Sequence, residues 1–102
     1  MKLVYIAGCY RAPTEWLVHQ NILLAEKHAS WIMKNHQDIY PIIPHKNSQG
    51  MGGLREDDYF LKGGLEILSK CDFIYLLPNW TKSEGAKIEW SFAKERGIAR
   101  LK

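Results

Sequence analysis

The stretch Ser83-Glu84-Gly85-Ala86-Lys87-Ile88-Glu89-Trp90 holds the residue types and spacing best suited to chemistry. A hydroxyl and a glycine at the start of a helix can hold an anion. Ser83 can donate its hydroxyl, Gly85 lets the backbone approach, and the helix N-terminus adds favourable potential. Glu89 follows one turn after Gly85 on the same helical face. A carboxylate there can act as nucleophile or stabilise an oxocarbenium-like sugar. Each signal has an ordinary alternative. Ser83 can simply cap the helix, and Thr81 with Glu84 fits a capping box that would start it two residues earlier. Spacing alone favours capping. A single helical glutamate is usually solvated, here with Arg96 or Lys87 in reach.

Gly8-Cys9-Tyr10-Arg11 follows an apolar run directly. Exposed backbone N–H groups and a fork-shaped guanidinium suit phosphate. The segment is neither a GxGxxG fingerprint nor a Walker loop, so nothing here points to a nucleoside triphosphate. A turn with a surface arginine is an equal alternative. Cys9 reads as a small buried thiol near the candidate site. His45, after Pro44, can touch a ligand or serve only as a polar loop residue. Trp80 can stack on a base or close the core beneath its loop. His19, His28 and His36 form no metal pattern.

These residues need elements to position them. Leu3 to Ala7 predicts a first strand. A helix follows from about Thr14 or Glu15 to about Asn35, with Val18, Ile22, Ala25, Ala29, Ile32 and Met33 on one face. Leu17, Leu24 and Trp31 widen that face enough to suit a partner subunit as well. Asp38 to Ile43 predicts a second strand, stopped by Pro44. His45 to Leu54, with Gly50, Gly52 and Gly53, reads as a mobile loop of the kind that covers a ligand. Arg55 to Lys70 predicts a helix weakened by Gly63-Gly64. Phe73 to Leu77 predicts a third strand, Ser83 to Arg96 a helix ended by Gly97, and Ile98 to Leu101 a last short strand. The order βαβαβαβ predicts a single α/β, Rossmann-like (flavodoxin-type) domain, with a parallel sheet of about four strands and helices on both faces. Ligands then bind beyond the carboxyl ends of the strands. Gly8 to Arg11, Pro44 to Lys46, and Pro78 to Gly85 all fall on that edge.

Composition narrows the function classes. The chain has 102 residues, 46% hydrophobic and 12% aromatic, which predicts one ordered domain. A net charge of +3, from 14 basic and 11 acidic residues, suits a small anionic ligand and is too dispersed for nucleic acid. No run reaches the ~18 apolar residues of a membrane span. Two cysteines without metal-type spacing predict free thiols in a reducing cytoplasm. No cofactor is expected.

Together, Tyr5-Ile6-Ala7-Gly8-Cys9-Tyr10-Arg11, the Pro44-His45 turn, and Cys71-Asp72-Phe73-Ile74-Tyr75-Leu76-Leu77-Pro78-Asn79-Trp80 before Ser83 to Glu89 resemble the nucleoside 2-deoxyribosyltransferase superfamily. The likeness is greatest to a short branch of unassigned function (DUF4406-like), related to deoxynucleoside 5′-monophosphate N-glycosidases. The resemblance implies cleavage or exchange of the N-glycosidic bond of deoxynucleosides or their 5′-monophosphates. It makes Glu89 the catalytic carboxylate and Tyr5 the residue that orients it. Transferases acting on free nucleosides tend to have Asp at the position of Ser83, whereas the monophosphate hydrolases have Ser, which binds the 5′-phosphate. Ser83 with Arg11 therefore implies a monophosphate, in line with the repulsion that a carboxylate would exert there. Gly8, Cys9 and Gly85 join the expected binding set, with His45 or Trp80 near the base. A homodimer or larger homo-oligomer is also implied.

The resemblance breaks at one place. Both enzyme branches carry an aspartate eight residues before the position of Asp72, and that position here is Gly64. Glu66 would point elsewhere on a regular helix, and Asp57 and Asp58 lie further back. Retaining Glu89 speaks for an N-glycosidase, with hydrolysis ahead of transfer. Gly64 speaks for a nucleotide-binding module without turnover, a sensor or sequestering protein.

Overall fold

Alternation along β1 (Lys2–Ala7) divides the interior in two, because successive strand residues face opposite sides of a sheet. In the computed structural model, which describes all 102 residues, Val4 and Ile6 join one core and Tyr5 and Ala7 the other. The first core is completed by Ala25 and Ile32 of α1 (Glu15–Asn35) and by Leu77. The second gathers Leu68 of α3 (Asp57–Ser69), Ile74 and Leu76 of β3 (Phe73–Leu76), and Ala86 and Ala93 of α4 (Glu84–Glu95).

Two further strands complete a four-stranded, all-parallel sheet. They are β2 (Ile39–Ile42) and β4 (Ala99–Arg100), and the order is β2-β1-β3-β4. The chain moves from β1 outward to β2, then crosses back over β1 to β3. That reversal puts α1 on one face and α3 and α4 on the other. It also opens a crevice between the carboxyl ends of β1 and β3, where ligands of such sheets bind. Register brings Ala7 beside Leu76, so the loops after both strands start level. Both sheet edges are short. β2 carries Pro41 opposite Val4, and β4 is two exposed residues.

Local signals explain the helix ends. Thr14 caps α1 by accepting from the Leu17 N–H, and Gly97 takes a left-handed φ of 72° just past α4. The buried stripe of α1 is Ile22, Ala25, Ala29 and Ile32. Met33, expected on that face, is exposed instead. One residue beyond Ile32 means a rotation of about 100°, which carries it past the stripe's edge. Leu17 and Trp31 are also exposed, with Trp16 and Leu23 beside them, so they lie outside the core.

The segment expected as one mobile loop from His45 to Leu54 is partly ordered. Pro44–Asn47 winds into one helical turn, α2, because Pro44 at its start has φ already set for a helix. Turns follow, closed by Met51 N–H to the Ser48 carbonyl at 3.0 Å and Leu54 N–H to the Met51 carbonyl at 3.2 Å.

Candidate functional site

Tyr5 sits on the β1 face that α3 and α4 cover, which aims its phenol away from α1. There it donates a hydrogen bond from Oη to Glu89 Oε2, joining residues 84 positions apart. Glu89 stands on the second turn of α4, above the core formed by Ala86 and Ala93. Burial pushes the Glu89 carboxyl up to about 7, against the opposing pull of the Tyr5 hydrogen bond. Burial, and then the charge of Glu89, push the Tyr5 phenol well above its ordinary range, so it stays a donor. Near neutrality the carboxyl is therefore divided between its acid and its anion, the condition in which one group can serve proton transfer or charge stabilisation.

Gly64 of α3 closes the third side of this pair. A Cβ at position 64 would stand 2.7 Å from Tyr5 Oη and 3.3 Å from Glu89 Oε2. The phenol thus occupies the room a side chain would need. Gly63, one residue earlier, has open space around its missing Cβ. Sequence reasoning marked Gly64 as a lost carboxylate and missed that it is a close-packing contact. The paired glycines inside a helix were the available signal.

Ser83 is the N-cap of α4, and its Oγ accepts from the Ala86 N–H at 3.0 Å. The alternative cap through Thr81 does not form, because Trp80–Lys82 makes a separate 3₁₀ turn. Capping uses the hydroxyl oxygen as acceptor and leaves its O–H to donate. A Cβ at Gly85 would meet nothing closer than Ser83 Oγ at 3.8 Å, so packing does not require glycine there. At Gly8 packing does require it, since a Cβ would lie 2.7 Å from Leu77 Cβ and 2.9 Å from Asn79 Oδ1.

Asn79 joins two of the predicted loops. Its Oδ1 accepts from the Cys9 N–H at 3.1 Å, and its carbonyl accepts from Cys9 Sγ at 3.2 Å. Burial pushes the Cys9 thiol up, so it is a structural donor and not a thiolate nucleophile. His45 brings in the third loop. Its ring is 6% exposed, and Nε2 donates to the Cys9 carbonyl at 2.9 Å. Burial lowers the His45 pKa and keeps the ring neutral, and its Nδ1 is buried without a partner. Sequence reasoning missed Asn79, and no local signal points to it, because its partner Cys9 lies 70 positions away.

The remaining predicted residues stand apart from the pair. Arg11 forms an ion pair with Asp57 at the start of α3, with both side chains mostly exposed. No hydrogen bond or ion pair links Arg11 to Ser83. Trp80 is partly buried and packs against the core that holds Tyr5 and Ala86. Lys87 pairs with Glu84 rather than Glu89. Two surface depressions, of about 350 and 270 Å³, lie along α3 and α4 around Leu65 and Phe92; Lys87 lines the first, and Tyr5, Ser83 and Glu89 line neither. No three His, Cys, Asp or Glu side chains converge as a metal site.

Two outcomes follow from this geometry. A carboxyl bound more tightly to its proton in the folded state stabilises the fold below its unfolded value, near 4.5, and loses that contribution as pH rises toward 7. Across that window Glu89 should pull stability down by up to about 1.4 kcal/mol per pH unit, opposed by His28 and His45, whose ordinary values burial lowers. In chemical unfolding, Glu89→Gln should therefore make stability rise more steeply with pH than in the parent, and an unchanged slope would put the titration elsewhere. The second concerns the glycines. Gly63→Ala should raise the unfolding midpoint, as alanine does in an open helix position. Gly64→Ala should lower it in the parent and lose most of that penalty in a Tyr5→Phe background, where the clashing oxygen is gone. Equal penalties in both backgrounds would locate the conflict away from the phenol.

Comparison with curated proteins and with solved structures gives no match. A family described as a domain of unknown function, DUF4406, matches residues 35–101, which include Gly64, Ser83 and Glu89 but not Tyr5. With more than half of the chain inside that match, this protein belongs to the DUF4406 family.

Proposed function

We propose that this protein is an N-glycosidase acting on a 2′-deoxynucleoside 5′-monophosphate, by hydrolysis in preference to transfer. The observation that carries this reading is the Tyr5–Glu89 pair, a buried phenol on a partly buried carboxyl that titrates near neutrality. Ionised, Glu89 stabilises or captures the cationic C1′ that forms as the base departs. Tyr5 fixes its orientation. The start of α4, with the free hydroxyl hydrogen of Ser83 and the open space at Gly85, supplies a phosphate subsite, and the resemblance to the deoxyribosyltransferase superfamily supports it. Asn79 and His45 both hold Cys9 beside Gly8, which shapes the neighbouring wall.

A second reading has its own support. Gly64 leaves Glu89 without a second carboxyl, and Arg11 is already paired with Asp57. The missing carboxyl favours a nucleotide-binding module without turnover, whereas the Arg11–Asp57 pair bears on phosphate binding in either reading.

Incubation with a panel of deoxynucleoside monophosphates separates the two, with free base as the readout. Base release that falls by about 10²-fold or more in Glu89→Ala supports the enzyme. Binding by thermal shift without base release supports the module. Ser83→Asp keeps a good N-cap residue and adds a negative charge. It should weaken monophosphate binding at least about tenfold, or ~1.4 kcal/mol. Undiminished affinity would remove Ser83 from the phosphate subsite.

A further inference from the structure

Tyr5 is the sole hydrogen-bonding partner of Glu89, and no other acid sets its ionisation. A side chain on Gly64, the α3 residue nearest the pair, would collide with the Tyr5 hydroxyl, so none stands there beside Glu89. Asp57 at the start of α3 is exposed and committed to Arg11. The Tyr5 phenol holds its proton too firmly to act as an acid. One carboxyl cannot both carry negative charge at C1′ and hand a proton to the departing base in the same step.

We propose that the Gly64 contact makes this a one-carboxyl site suited to N-glycosides whose base leaves without a proton, namely sugar 5′-phosphates bearing an already cationic base. N7-alkylated purine and N-glycosyl pyridinium nucleotides have that chemistry. This inference rests on the N-glycosidase reading and names its substrate class. The C1′–N bond breaks, and its electron pair passes to the ring nitrogen and cancels the positive charge of the base. Glu89, ionised, faces the cationic C1′. Water then adds to C1′ and gives its proton to Glu89 or to solvent. Cationic nucleotide plus water thus yields the sugar 5′-phosphate, neutral base and one proton. A neutral base needs a proton as it leaves, and lacking a second acid forfeits the about 10²–10⁴-fold that a positioned one supplies.

The test compares 7-methyl-dGMP and 2′-deoxynicotinamide mononucleotide with dGMP and dAMP. Base release by the intact protein is measured across pH and divided by the uncatalysed rate of each compound, which corrects for the greater lability of cationic glycosides. The expected result is an enhancement at least about 100-fold larger for the cationic compounds. The rate for the nicotinamide compound, whose positive charge does not titrate, should rise with ionisation of Glu89 and then hold a plateau, and Glu89→Gln should abolish it. Equal enhancements, or a rate for the nicotinamide compound that falls at high pH as an essential acid is lost, would overturn the inference and leave the glycosidase reading standing. No release from either class would overturn both, with the glycosidase reading failing first.

Discussion

A phenol buried in an apolar core needs an acceptor, and in this molecule only one carboxylate supplies it. Tyr5 is 1% exposed, and losing its partner would leave a hydroxyl desolvated inside the main core. The same bond brings a charged group onto the inner side of α4, where burial raises its affinity for a proton. Fold and chemistry are therefore coupled through one contact. The strand that supplies Tyr5 also divides the two cores, so a shift of β1 by one residue would send the phenol toward α1.

The carboxyl edge of the sheet is organised by polar backbone contacts more than by side-chain charge. Asn79 and His45 both hold Cys9, from the loops after β3 and β2. Three separate connections are thereby tied at the end of β1. His45 does this with one ring nitrogen and leaves the other buried and unpaired, which confines the ring to its neutral form.

Most of the frame was legible in the sequence because it depends on local rules. The apolar runs of β1 and β3, the periodic stripe of α1, the cap at Ser83 and the left-handed Gly97 each follow from a few adjacent residues. The Tyr5–Glu89 meeting followed only from the resemblance, since nothing local links residues so far apart. The Arg11–Asp57 pair, the bridging role of Asn79 and the fit of Gly64 against the phenol were not legible. All three depend on how α3 and the β3 loop pack across the sheet. Met33 failed for a different reason, because periodicity gives a stripe but not its width.

The edges of the sheet have a consequence for solubility and assembly. An open row of N–H and C=O groups is a template for a neighbouring chain. Here β2 interrupts that row with Pro41, which has no N–H to offer, and β4 ends after two residues, the second of them Arg100. Strand addition is blunted at both borders, so the sheet is bounded by its own sequence. Encounters between copies are left to the helical faces, where Trp16 and Trp31 stand exposed.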